Sequence, residues 1–342
     1  MNFAFDLDTM WYMLVGLLFT GYAILDGFDL GVGALHLFTK TDRDRRVMLN
    51  AIGPVWDGNE IWLVTGGGAL FAAFPEVYAT VFSGFYMAFI LLLVTLIFRA
   101  VAIEFRSKQP MLWWRRFWDV SFNAGSLLTA LLIGVALGNI AHGIPLDAAH
   151  EFTGGFWSLL NPYAVLVGLT TVTLFAMHGA IYMVMKTEGE LHDTMRRWAR
   201  RAIGVFSVFY IATTVVTIIV LPHMTVNMRN HPWLFVVPVV NVLAIINIFR
   251  QLRRGRDFRA FLSSALSMAA LMAIFGIGMF PNLVLSRPDV ANSLTIFNSA
   301  SSPKTLGIML IIAAIGMPLV VAYTTVIYRV FRGKVRLDSH SY

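Results

Sequence analysis

Long apolar stretches, repeated along the whole chain, limit this sequence more than any other feature. A helix that crosses a membrane needs about 20 mostly apolar residues, since each rises about 1.5 Å through a hydrocarbon core of about 30 Å. Nine such stretches are present, at 10–38, 48–72, 76–105, 119–141, 160–186, 202–222, 233–250, 261–281 and 305–329. The connections between them are too short for a soluble domain, so residues 1–342 are expected to form a single polytopic membrane domain. Only 13% of residues are charged and 58% are hydrophobic, which excludes a water-soluble enzyme and a disordered chain. The first stretch is too long and too acidic for a cleaved signal peptide. The sequence contains no Cys, so thiol catalysis, cysteine-ligated clusters and a disulfide-built domain are excluded too.

The distribution of Lys and Arg sets the expected orientation. Lys40, Arg43, Arg45 and Arg46 fall in the first connection, and Arg106, Lys108, Arg115 and Arg116 in the third. Lys186, Arg196, Arg197, Arg200 and Arg201 follow in the fifth, then Arg250, Arg253, Arg254, Arg256 and Arg259 in the seventh. The tail carries Arg329, Arg332, Lys334 and Arg336, whereas the opposite side has only Arg229, Arg287 and Lys304. This pattern predicts an outer (periplasmic) N-terminus and a cytoplasmic C-terminus, with an odd number of spans. The net charge of +7 then reflects topology and contact with anionic lipid, and nucleic acid is not an expected partner. The expected fold is an all-α integral membrane protein of about nine transmembrane helices, arranged as two four-helix bundles plus one extra helix.

Ionisable residues inside spans are costly and usually functional. Asp26 and Asp29 stand at i and i+3 in the first span, and Asp57 and Glu60 repeat that spacing in the second, beside Trp56, Asn59 and Trp62. Arg99 and Glu104 lie towards the cytoplasmic end of the third, and Glu76 at its outer start. Counting residues from the inner ends puts Asp29, Asp57 and Arg99 about 9–14 Å below the inner surface. Two readings fit: a hydrated cytoplasmic half-channel with carboxylate relays and Arg99 as counter-charge, or a buried salt-bridge network that holds helices together. The excess of carboxylates over the single Arg favours the relay. Gly53, Pro54 and Gly58 around the acids predict a kink, with Asn59 able to bond the freed backbone groups.

Redox ligands are scarce. His142, His150, His223 and His231 fall outside the spans on the outer side, and His192 and His340 on the inner side. Only His36 and His178 fall within spans, too few for paired haem ligands, and His178 reads as a packed or hydrogen-bonded core residue. No helical Glu-x-x-His pair supports a metal site. The Ser/Asn-rich outer connection 281–304 reads as a capping or interface loop. A proton-coupled secondary transporter, which also uses broken helices and midplane acids, is the alternative function.

Several segments resemble the signature segments of subunit II of cytochrome bd-type quinol oxidases. They are DGFDLGVG (Asp26–Gly33), GPVWDGNEIWL (Gly53–Leu63), GGGALFAAFPEVY (Gly66–Tyr78), FRAVAIEFRSK (Phe98–Lys108), GMFPNL (Gly278–Leu283) and SLTIFNSASSPKTL (Ser293–Leu306). The resemblance covers essentially the whole chain. It implies a heterodimer in the bacterial inner membrane that oxidises quinol near the outer face and reduces O2 to water with cytoplasmic protons. Subunit I would carry haem b and haem d, or haem b alone, while a subunit of the present kind ligates no haem or metal and has no catalytic residue of its own. Its implied contributions are scaffolding, a proton path through Asp26, Asp29, Asp57, Glu60, Arg99, Asn59 and Trp56, and an O2 route near Trp62. Small single-span accessory subunits are further implied partners. The short outer connection at 223–233 departs from longer family members and puts partner docking there in question.

Overall fold

The computed structural model describes residues 6–337; His340 lies outside them. The chain folds into α1 (Leu7–His36), α2 (Asp42–Ile52), α3 (Trp56–Ala73), α4 (Pro75–Gly84), α5 (Tyr86–Phe105) and α6 (Leu112–His142). These are followed by α7 (Pro162–Lys186), α8 (Gly189–Val220), α9 (Val226–Asn230), α10 (Val236–Arg253), α11 (Asp257–Met279) and α12 (Pro303–Val330). A two-stranded antiparallel ribbon, β1 (Asn282–Val284) and β2 (Leu294–Thr295), lies between α11 and α12.

Local chemistry starts several helices. The Asp6 carboxylate accepts from the Thr9 N–H at 2.8 Å and caps α1, and that bond holds its pKa below the ordinary carboxylate value. Asn161 caps α7 ahead of Pro162, and Ser302 caps α12 ahead of Pro303. In both, proline occupies the first turn, where its missing N–H costs nothing.

Eight helices among the described residues are long and apolar enough to cross a membrane, and α3 is the expected span that is missing from them. It has 18 residues, about 27 Å of helix, but its first two turns hold Trp56, Asp57, Asn59 and Glu60. The stretch at 48–72 is therefore not one continuous helix. A turn at Gly53–Val55 separates α2, which buries Met48, Leu49 and Ile52, from α3. Pro54 supplies no N–H at this point, and the ladder restarts with Asn59 N–H donating to Val55 O at 3.0 Å. The stretch at 76–105 is likewise divided, at Phe85, into α4 and α5. Conversely, α6 and α8 begin earlier than the apolar stretches 119–141 and 202–222, because amphipathic turns extend each helix beyond its apolar part.

Packing joins α1 to α3, α6, α7 and α11, α5 to α6, α7 to α8, and α10 to α11, with α12 outside against α1 and α3. The crossing of α1 and α7 is very close. A Cβ on Gly31 would collide with the Phe175 carbonyl, and one on Gly179 with the backbone of Gly31. Contacts sort the helix ends into two groups. At one end, Trp11 Nε1 donates to Leu306 O at 3.0 Å, Ser301 N to Ala73 O at 2.8 Å, and His223 Nε2 pairs with Ala141 O at 3.0 Å. The connection 281–304 lies there and bridges to Ile144 and Leu146. At the other end, Arg45 and Arg106 meet Asp119, Lys186 Nζ donates to Phe331 O, and Arg196 donates to Leu252 O at 2.5 Å.

Candidate functional site

The polar core is built where α1, α3, α5 and α12 meet. Asp26 and Asp29 on α1 are both fully buried, as the i, i+3 spacing allows when one face turns inward. They nevertheless have different partners. Asp26 takes both terminal nitrogens of Arg99 from α5, Nη1 at 3.0 Å to Oδ2 and Nη2 to Oδ1, the two-pronged geometry that makes arginine pairs strong. Asp29 accepts instead from Asn59 Nδ2 of α3, at 2.7 Å to Oδ2. The same amide nitrogen donates to Leu25 O at 3.2 Å, and Asn59 Oδ1 accepts from the Tyr328 hydroxyl of α12 at 2.9 Å.

The second acidic pair divides. Glu60 is half-buried and within electrostatic reach of Asp26, Arg99 and Asp57. Asp57 sits in the first turn of α3, exposed on the surface of this chain, where a carboxylate complements the helix N-terminus. Trp56 packs against the buried core beside it. Trp62, half-buried, lies with its indole against Gly21 of α1. Four buried polar atoms around the cluster find no hydrogen-bond partner among the described residues: Tyr22 Oη, Asp29 Oδ1, Arg99 Nε and Trp62 Nε1. Buried groups of this kind are normally satisfied by water or by a further partner.

His178 is fully buried, with Nδ1 2.7 Å from Ser264 Oγ and Nε2 3.0 Å from Ile24 O, and its ring stacks on Phe261 at 4.7 Å. It is thus a packed, hydrogen-bonded core histidine. Among the described residues, no three His, Asp or Glu side chains come together as a metal site would require.

Two parts of the polar interior were not legible in the spacing. Tyr328 is one aromatic in an apolar helix and carries no sequence signal for its hydrogen bond. The second part is a buried network around Asp119, which accepts from Arg106 Nε at 2.5 Å and Arg45 Nη1 at 2.9 Å and contacts His36 Nε2 at 2.6 Å. Asp42 extends it by accepting from Arg106 and Arg115. Asp119 had marked only the edge of an apolar stretch. Its signal was that an acid and His36 both stand at span ends on the side of the basic connections.

The comparisons with known proteins agree with this architecture. Residues 7–331 match the family described as cytochrome bd terminal oxidase subunit II. The chain is 37% identical to cytochrome bd-I ubiquinol oxidase subunit 2 of Escherichia coli K12, with 97% of each chain covered. It is 33% identical to cytochrome bd ubiquinol oxidase subunit 2 of Bacillus subtilis 168, over 96% of this chain and 97% of that one. A chain of the bd oxidase structure from Geobacillus thermodenitrificans has the same fold, with a TM-score of 0.80 at 19% identity, over 95% of this chain and 98% of that one.

Proposed function

The chain belongs to the cytochrome bd terminal oxidase subunit II family, and from that membership we propose what its residues do in the complex. As a multi-pass protein of the bacterial inner membrane, it is the second subunit of a quinol oxidase, an oxidoreductase complex, and its partner is subunit I. In our reading the complex oxidises quinol and reduces O2 to water, with haem b and haem d, or haem b alone, held by subunit I. The N-terminus is periplasmic, the C-terminus cytoplasmic, and α3 is the ninth span. Small single-span accessory subunits attach to the pair. Nothing in the fold or the comparisons favours the transporter alternative.

This chain contributes a proton path from the cytoplasm. The observation that carries the reading is the series of carboxyls brought together on α1 and α3 around one arginine. Asp26 neutralises Arg99, so Asp29 and Glu60 are left as the groups able to take and release a proton. Asn59 orients Asp29, Trp56 packs beside Asp57, and the unpartnered polar atoms mark where water would join the carboxyls. Asp57 lies at the surface end of the series. An exposed acid on α3 cannot face lipid cheaply, so subunit I is the partner expected to cover that face and to meet the path there. Trp62 rests with its indole against Gly21 of α1, and in this reading an O2 route runs beside that contact.

The test is quinol-driven O2 consumption in membranes carrying Asp29→Asn or Asp57→Asn, read beside the haem absorption spectrum. The expected outcome is intact haem with turnover reduced by about tenfold or more. Normal turnover with intact haem in both variants removes the relay. Joint loss of haem and assembly makes the acids architectural.

A further inference from the structure

Asn59 is held from both sides. Its amide offers one acceptor oxygen and one donor nitrogen, and which of them faces Asp29 is set by the surrounding hydrogen bonds. Tyr328 has a hydroxyl that donates to Oδ1 at 2.9 Å, and Leu25 O accepts from Nδ2 at 3.2 Å. Together they leave Nδ2 as the atom turned towards Asp29, at 2.7 Å. The tyrosine comes from α12, which buries only Leu306 within this chain and packs against α1 and α3 alone to any extent. Its ring stands edge-on to Phe28, 6.4 Å between centroids and at 88°, so the hydroxyl is aimed by packing as well as by its hydrogen bond.

We propose that Tyr328 is a positioning residue for Asp29: its hydroxyl, acting through the Asn59 amide, keeps a hydrogen-bond donor turned towards that carboxyl. The inference rests on the proton-path reading. Without the hydroxyl, Oδ1 loses its donor and Leu25 O is left as the one group holding Nδ2 towards Asp29, so the amide turns more readily to the state in which its oxygen meets Asp29. An oxygen there accepts a hydrogen bond from a protonated carboxyl, whereas the nitrogen donates to an ionised one. The tyrosine thus acts together with Leu25 O to bias which protonation state the amide supports. The other charged and titratable groups facing Asp29 are Asp26 on its own helix, Glu60 on α3, Arg99 on α5 and Tyr182 on α7. Among the described residues, none of them is hydrogen-bonded to the Tyr328 hydroxyl, which donates to Asn59.

The test compares Tyr328→Phe with Asp29→Asn and with Tyr323→Phe, an exposed tyrosine on the same helix, all in the assembled complex. Turnover in Tyr328→Phe is expected to fall about fivefold, and the midpoint of its pH profile to move by about 0.7 unit, the effect of one lost hydrogen bond. In redox-induced infrared difference spectra, the carboxyl C=O band that Asp29→Asn abolishes is expected to shift in Tyr328→Phe and to stay in place in Tyr323→Phe. If Asp29→Asn turns over slowly but Tyr328→Phe leaves the pH profile and the band unchanged, the inference is overturned and the proton path stands. If Asp29→Asn turns over normally, the proton-path reading fails, and the inference with it. Should Tyr328→Phe not assemble, Asn59→Leu breaks the same link from within and is read in the same way. Failure of both to assemble makes the link architectural and overturns the proposal.

Discussion

Asp26 and Asp29 are three residues apart and equally buried, yet one meets a guanidinium and the other an amide. In the proposed proton path that difference divides the roles: the carboxylate paired two-pronged with arginine balances its charge, and the one held by a neutral amide exchanges protons. Spacing alone identified both acids, Arg99 and Asn59 as a group, because ionisable residues stand out in apolar sequence. It had no means of assigning Arg99 to Asp26, since the choice depends on the azimuth at which α5 meets α1. Asp57, alike in sequence to Glu60, is on the exposed side of its helix for the same reason. Replacing Arg99 by Ala strands Asp26 without its cation, and one-sided loss of a buried pair costs about 3–5 kcal/mol. The expected result is a lower yield of assembled complex and a lower thermal midpoint of the purified protein. Unchanged yield and midpoint would show that Arg99 does not hold the site together.

At the scale of elements, the apolar periods located the helices and misplaced some of their breaks. The Gly53–Pro54 signal predicted a kink, and the structure makes it a full interruption that leaves α2 as a separate helix. At Phe85 the signal was weaker, a Ser83–Gly84 pair with no proline, and it lies where α4 ends and α5 begins. The α1–α7 contact is the clearest case of an element positioned by what it lacks. Gly31 lets the backbones of the two helices touch, and the same helix then carries Asp26 and Asp29 into the core. Gly31→Leu is expected to force α1 and α7 apart, at a cost of about 3 kcal/mol, the upper range for overpacking. The expected outcome is loss of heat stability together with loss of turnover, while Gly16→Leu, where a Cβ meets nothing, leaves both within error. Equal stability of the two variants would refute the close-crossing argument.

Across the whole molecule, hydrogen bonds sort the helix ends into two groups, and the residues that join at the Arg45–Arg106–Asp119 end are those beside the basic connections. Grouping of this kind is what alternating passage through a membrane requires, and it supports the proposed orientation. A fluorescent protein fused after Tyr342 is expected to be bright, and an alkaline phosphatase at the same place inactive. An active phosphatase with a dark fluorescent fusion would invert the topology. The membrane class, the acidic segments and the family resemblance were all readable from the chain, because a bilayer imposes length and apolarity on each span separately and the motifs are contiguous. Partnerships were a different matter. The pairing of Asp26 with Arg99, the Tyr328–Asn59–Asp29 link and the network around Asp119 join residues up to 269 positions apart. They were decided only by how the helices cross and rotate about their axes, which local periodicity leaves free.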